Sequence, residues 1–317
     1  MKKNLLIGSI TGYLWQDVAP FFKSFERAGF ENCDCVMFVA NMSDKTIEKI
    51  KSCGVIVQKI PDKFKGISII NFRWKIYADF LQENPDKYNL VFTADVRDVF
   101  FQSDVFRFYE NNKNFLGIAI EDNFLSEKTN KSWLVNAYGE EAYKTIAHER
   151  ILCAGTVWGT VDNFCNFSLA MWEKLSSVCL LRKNVIDQAV GNWLIYHDKM
   201  FYNSLIKSDN QDGKVMTIGF TARENIKLDS NDNILNGKGE IAAVIHQYDR
   251  HNDIVIKVIN KFCPEYKFYY GYDIVMFGHP SFIWRVVRFC YRVRKLGIFK
   301  ALCVAVKTRL PSREKFS

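Results

Sequence analysis

The sequence predicts an α/β fold: a mostly parallel central sheet flanked by helices. Three observations predict it. Short apolar runs of strand length alternate with amphipathic runs of helix length, the pattern of consecutive βα units. Capping and stop signals, such as Ser43-Asp44 and Gly29, punctuate the runs. Acidic residues gather just past the ends of apolar runs, the edge where open α/β sheets bind ligands. With 317 residues, 48% hydrophobic and 25% charged, the chain has enough material for one large folded domain over 1–280 and an extension over 281–317.

Residues 4–10 read as the first strand. Ile10, Thr11 and Tyr13 then lie in or beside the loop at its carboxyl end. A helix over 17–28 places Phe21, Phe22, Phe25 and Ala28 on one side, and Gly29 ends it. A strand over 35–40, a helix over 45–53 and a strand over 55–58 follow. The next helix, over 71–81, has Phe72, Ile76, Tyr77 and Phe80 as its apolar side. Its cations, Arg73 and Lys75, lie on different faces. Either reaches toward a phosphate in one reading, Arg73 preferred; both are simply solvated in the other.

The chain is organised around its fourth strand. The apolar run Leu90-Val91-Phe92 changes abruptly into Asp95-Val96-Arg97-Asp98. Burying two uncompensated carboxylates costs several kcal/mol each, so the pair belongs just past the strand end. Around a tight turn both acids converge on one hard cation, Mg²⁺ or Mn²⁺. The competing reading is a surface turn with ordinary salt bridges, Arg97 offsetting one charge.

A short turn and helix over 101–109 come next, then a strand over 114–120 ending in Glu121-Asp122. Those acids either bind a sugar hydroxyl or belong to a solvated loop. A helix over 134–148 leads to a strand over 151–158 punctuated by Gly155 and Gly159. Glycine there admits a ligand close to the backbone or permits a bulge. A helix over 162–179 is the longest, and another opens at Asp187, which caps it or acts in the site. Residues 208–214 form a polar loop. Finally an apolar strand over 242–245 delivers His246 to an edge. Imidazole suits Mn²⁺ beside carboxylates, and Arg250 follows within reach of a phosphate.

Several classes lose support. There is no G-x-G-x-x-G after the first strand and no G-x-x-x-x-G-K-[ST], which disfavours dinucleotide dehydrogenases and P-loop ATPases. The nine cysteines contain no C-x-x-C; they read as free thiols of a reducing compartment. The basic start runs into a brief apolar stretch, a first strand rather than a signal peptide. No run of eighteen uncharged apolar residues offers a spanning helix.

Four segments in order are similar to one family. Thr93-Ala94-Asp95-Val96-Arg97-Asp98 resembles the acidic metal motif of GT-A-type (Rossmann-like) glycosyltransferases, with two residues between the acids. Cys153-Ala154-Gly155 resembles their Asn-Ala-Gly segment, with Cys153 in place of the usual Asn. Asp187-Gln188 resembles their Asp-Gln element, and His246-Gln247-Tyr248-Asp249 the late segment whose histidine completes the metal site. The resemblance spans residues 4 to about 250.

It implies a sugar transferase, a hexosyltransferase of the bacterial polysaccharide or lipopolysaccharide type. The donor is a nucleotide sugar, UDP-linked by family frequency, and the acceptor a glycan or lipid-linked glycan. Asp95, Asp98 and His246 would hold Mn²⁺ or Mg²⁺ against the donor diphosphate. Asp95 would also approach the ribose. Ile10, Thr11 and Tyr13 would line the base pocket, and Arg73 and Arg250 would meet phosphate. Gly155, Asp187 and Gln188 would lie near the transferred sugar, with Asp187 or Glu121 as general base if the reaction inverts. The Asp-Gln element leans the expectation to retention. The alternatives are a nucleotidyltransferase of similar fold and a non-catalytic, membrane-associated nucleotide-sugar-binding module.

Charge is uneven along the chain. From residue 281 onward there are ten Lys/Arg and one Glu, while the whole chain carries +8, so the body is close to neutral. This argues against a specific nucleic-acid partner. On a helical wheel Arg285, Arg288, Arg292 and Lys295 share one arc opposite Phe282, Ile283, Val286, Val287, Phe289, Cys290 and Val293. Such a helix lies in an anionic membrane surface or docks on the body. In the first case residues 281–310 hold a cytoplasmic enzyme peripherally at the inner face of the membrane. Truncation after Pro280 is then expected to move the protein from the membrane pellet to the soluble fraction on sedimentation; unchanged partitioning argues for docking.

Overall fold

The computed structural model describes residues 2–64, 67–177 and 187–266, with the single positions 293 and 298. It divides into two units, Met1–Tyr248 and Asp249–Ser317. The predicted tail helix lies outside the described residues. In the second unit the described part is chiefly α9 (Asn252–Phe262), labelled in chain order after the elements below.

The first unit opens with three strands and two helices in alternation: β1 (Lys3–Thr11), α1 (Trp15–Arg27), β2 (Cys33–Ala40), α2 (Asp44–Ser52) and β3 (Ile56–Lys59). Next come α3 (Ile69–Glu83), β4 (Tyr88–Ala94), β5 (Val99–Phe101), β6 (Leu116–Phe124), α4 (Lys128–Tyr138), α5 (Glu140–Ile146) and β7 (Arg150–Thr160). The unit continues with α6 (Val161–Ser177), α7 (Asp187–His197), α8 (Lys199–Asn203), β8 (Leu205–Ser208), β9 (Val215–Thr217), β10 (Lys227–Leu228), β11 (Ile234–Leu235) and β12 (Val244–His246).

The main sheet has seven strands in the order β3-β2-β1-β4-β7-β6-β8. All pairings are parallel except those of β7, which runs antiparallel to both β4 and β6. β1 and β4 are apolar on both faces because both faces are covered. On one face α3 and α6 bury Trp74, Tyr77, Phe164, Phe167 and Met171 against Leu5, Ile7 and Val91. Trp74 and Phe167 meet edge to face, ring centroids 5.6 Å apart. α1 packs on β5 instead, through Phe21 against Phe101 at 5.0 Å.

Three expectations are corrected. Phe101, expected to open a turn and helix over 101–109, ends strand β5 (Val99–Phe101), and Phe106–Phe108 makes only a 3-10 turn. The strand predicted to stop at 120 continues to Phe124, so Glu121 lies inside β6 and not past its end. The helix predicted over 134–148 is two helices. Gly139 separates them at φ 87°, a left-handed backbone that favours glycine.

Two irregularities build the functional edge. First, β5 belongs to a separate sheet, β5-β12-β9. The chain therefore leaves the main sheet at Ala94 and enters a second one at Val99, with 95–98 as the bridge. His246 pairs with Val99 in that second sheet. Second, β7 bulges away from β6. Its register jumps from Ile118↔Val157 to Ala119↔Cys153, leaving Ala154, Gly155 and Thr156 without partners on β6. Just before the bulge the Asn192 side chain of α7 holds β7, accepting from Leu152 N–H and donating to Leu152 C=O, both at 2.8 Å. Among the described residues no helix is long and apolar enough to cross a membrane, and the six described cysteines are free thiols.

Candidate functional site

The bridge between the sheets carries Asp95 and Asp98. Backbone bonds hold both ends of it: Asp95 N–H donates to Gly155 C=O at 2.9 Å, and Gln247 N–H donates to Asp98 C=O at 2.8 Å. The first ties the bridge to the β7 bulge, the second to the end of β12. His246 is thereby brought to the two acids. Its Nε2 lies 3.9 Å from Asp95 Oδ2 and 3.7 Å from Asp98 Oδ1. The three predicted metal ligands thus meet, with one donor atom from each within 4.8 Å of the others.

Each carboxylate has one oxygen beside an arginine and the other facing the histidine. Asp95 Oδ1 accepts from Arg73 Nη1 at 2.5 Å. Asp98 Oδ2 lies 3.5 Å from Arg97 Nη2. Asp98 and His246 are buried, whereas the Asp95 side chain is 41% exposed. The cluster is closed on the protein side and open on the other, leaving positions for outside oxygen atoms.

A divalent cation of the Mn²⁺ or Mg²⁺ type fits these residues. Two carboxylate oxygens and an imidazole are a suitable donor set. Gly155 gives a second, independent indication. A Cβ added there would lie 2.7 Å from His246 Nε2 and 3.0 Å from Asp95 Oδ2. Only bare backbone leaves the space between those donor atoms clear.

Arg73 projects from α3 beneath this cluster. It donates to Asp95 from Nη1 and, from Nη2, to Asp187 Oδ2 at 2.7 Å and Ala154 C=O at 3.0 Å. The expected phosphate ligand is therefore engaged by two carboxylates and the bulge. Burial alone would lower its pKa; Asp95 and Asp187 more than offset this and raise it. Asp187 opens α7 and is 2% exposed. Burial pushes its carboxyl up, Arg73 opposes, and Asp95 adds to the rise. Asp187 Oδ1 also accepts from Gln188 N–H at 2.8 Å. One side chain thus contacts both the first turn of α7 and the Arg73 guanidinium. Gln188 donates from Nε2 to Asn130 Oδ1 of α4 at 2.9 Å.

The remaining predicted residues are dispersed. Glu121 is 1% exposed, next to Cys153, not on an open edge. Ile10 is 1% exposed and part of the core. Tyr13 is close to the acidic bridge: burial raises its pKa, Arg97 opposes, and Asp98 and Asp95 add to it. Arg250 belongs to the second unit, where its guanidinium lies 3.4 Å from Asp249. Thr11 lines a cavity of about 640 Å³ at the carboxyl ends of β1, β2 and β3. Its other walls, including Asn41, Lys59, Ile60, Asp62 and Phe72, are absent from the sequence-based site. Asn41, Lys59 and Ile60 were marked in the sequence by their place after predicted strands, and Phe72 by the apolar side of the predicted helix over 71–81.

No protein-family model and no curated protein sequence matches the chain. Solved structures do. The galactosyltransferase LgtC in complex with donor and acceptor sugar analogues superposes with a TM-score of 0.50 at 14% identity, over 89% of this chain and 99% of that one. An active-site mutant of LgtC gives 0.48 at 14% identity, over 76% and 86%. Core-mannan synthase A (CmsA/Ktr4) from Aspergillus fumigatus, in its Mn/GDP form, gives 0.43 at 13% identity, over 65% and 73%.

One consequence of the geometry is direct. Arg73→Met strands Asp187 as a buried carboxylate beside Asp95, and is expected to cost about 3–5 kcal/mol of stability, read from urea unfolding at pH 7. The stranded carboxyl has a folded pKa above its unfolded value, so protonation relieves it. The gap to the wild type should be full at neutral pH and narrow as pH falls toward the carboxylate range. A gap independent of pH would contradict the assignment. The acids and the histidine meet where two sheets join, on a chain that has the GT-A fold its motifs resembled.

Proposed function

We propose that the protein is a metal-dependent glycosyltransferase that moves a sugar from a nucleotide-sugar donor to a glycan or lipid-linked acceptor. The observation that carries this reading is the meeting of Asp95, Asp98 and His246 at an open edge of the sheet. The shared fold with LgtC, whose structure holds donor and acceptor sugar analogues, supports it.

In this reading Asp95 Oδ2, Asp98 Oδ1 and His246 Nε2 hold Mn²⁺ or Mg²⁺. The bound cation supplies positive charge to the leaving nucleoside diphosphate. The chain's own residues do the rest. Arg73 holds Asp95 in one orientation, so that one oxygen faces the diphosphate side. Gly155 keeps the backbone low beneath the donor. The cavity lined by Thr11, Asn41, Ile60 and Phe72 takes the nucleobase, its apolar walls against the ring and its polar groups toward the ring edge. Uracil is the base that frequency within the resembling family favours.

Retention of configuration is the stereochemistry we infer. An inverting reaction needs a general base within reach of the acceptor hydroxyl. Of the two carboxylates offered for that role, Asp187 is engaged by Arg73 and Glu121 is buried. Gln188, partly buried beside Asn130, is then a polar group available to the transition state.

Two measurements test these statements. A screen of UDP- and GDP-sugars by thermal shift and hydrolysis is expected to give a response that needs Mn²⁺ or Mg²⁺ and that chelator and Asp98→Ala each abolish. A response indifferent to both overturns the transferase reading. NMR of the product is expected to report the donor's anomeric configuration; the opposite anomer overturns retention alone.

A further inference from the structure

His246 has a second ring nitrogen, and the structure encloses it. Nδ1 lies 3.3 Å from Cys153 Sγ and 3.4 Å from Thr217 Oγ1. His246 and Cys153 are each 1% exposed and Thr217 is fully buried. Thr217 is fixed by its backbone: Asn210 accepts from its N–H at 3.1 Å and donates to its carbonyl at 2.8 Å. Cys153 is the last residue of β7 paired to β6 before the bulge. On β6, two residues along from Ala119, its partner across the ladder, stands Glu121, 1% exposed; burial raises the thiol's pKa and the nearby Glu121 charge adds to the rise.

We propose that Glu121, Cys153 and Thr217 are positioning residues that set the tautomer and ring plane of His246, so that Nε2 turns its lone pair toward the cation. The inference rests on the metal-centre reading above. A neutral imidazole has one N–H and one lone pair. To offer Nε2 to a cation it must carry its proton on Nδ1. That proton requires an acceptor, and Cys153 Sγ and Thr217 Oγ1 both lie within reach of it. Thiol sulfur accepts weakly. A thiol that donates its own proton to a carboxylate accepts better, because chained hydrogen bonds polarise one another. With Glu121 accepting from the thiol, Glu121, Cys153 and His246 would form such a chain. Metal-binding histidines commonly donate their other N–H directly to a carboxylate or carbonyl; here a thiol stands between imidazole and carboxylate. This gives Glu121 a role compatible with its burial, in place of the general base suggested by its sequence neighbourhood. It also gives a reason for cysteine at the position where the resembling family has asparagine.

The test measures Mn²⁺ affinity of the full chain by EPR, without nucleotide, alongside thermal unfolding in excess chelator. Cys153→Ala is expected to weaken Mn²⁺ binding about tenfold or more. Cys153→Ser keeps a donor and an acceptor and is expected to stay within about threefold of the wild type. Thr217→Val reads the other side of the ring, with a weakening of the same sense, and keeps the inference testable if Cys153→Ala does not fold. If cysteine only fills space, the order reverses, since an added hydroxyl suits an apolar slot less well than a methyl; that order overturns the proposal. Wild-type affinity in Cys153→Ala overturns it too, and leaves the metal centre standing. A wild-type protein that binds no Mn²⁺ removes both.

Discussion

The guanidinium of Arg73 is the constraint on which the site depends. It is one buried cation with Asp95, Asp187 and the carbonyl of Ala154 around it. Those partners come from the end of β4, the start of α7 and the bulge of β7. Without a positive charge between them the Asp187 carboxylate would be buried and uncompensated beside Asp95. A buried ion pair is often no more stabilising than apolar packing, but removing one member is costly because the other is left uncompensated. The arrangement therefore specifies geometry more than it adds stability. A lysine would not replace it, since the planar fork reaches separate acceptors at once.

The second determinant is the change of sheet. β4 ends in the main sheet and β5 begins in the small one, so the acidic bridge spans the junction. Antiparallel pairing of β5 with β12 then sets His246 opposite Val99, one residue from Asp98. Ligands separated by about 150 residues of sequence become neighbours through three backbone pairs. The bulge in β7 completes the floor by placing a residue without a side chain under Asp95 and His246. Bulges commonly re-aim backbone beside functional sites, and this one also supplies the carbonyl that Arg73 binds.

Exposure divides the site into two parts with different work. Asp98, His246, Arg73, Asp187, Glu121 and Cys153 are all buried, and their mutual contacts hold one arrangement. Asp95 and the cavity at the ends of β1 to β3 face outward and are the surfaces a donor can meet. A rigid buried set behind an open face is the arrangement expected of a preorganised site.

Much of this was legible in the residues themselves. The strand-helix alternation, Asp95 with Asp98 past β4, and His246 at a later strand end follow from periodicity and from the cost of burying charge, both local properties. The resemblance of four ordered motifs added the GT-A architecture. What only tertiary structure decided was non-local. Nothing in 99–101 tells a continuation of the fourth strand from a strand of a second sheet, because three apolar residues carry no sign of their partner. Glu121 reads as a strand end because a carboxylate normally marks one; it is inside β6 because β6 goes on pairing with β7 as far as Phe124. Arg73 reads as a phosphate ligand because its two partners lie 22 and 114 residues away. Sequence determines which side chains can bear charge, bind metal or pack. The partner that each buried charge finds is settled only when the strands pair.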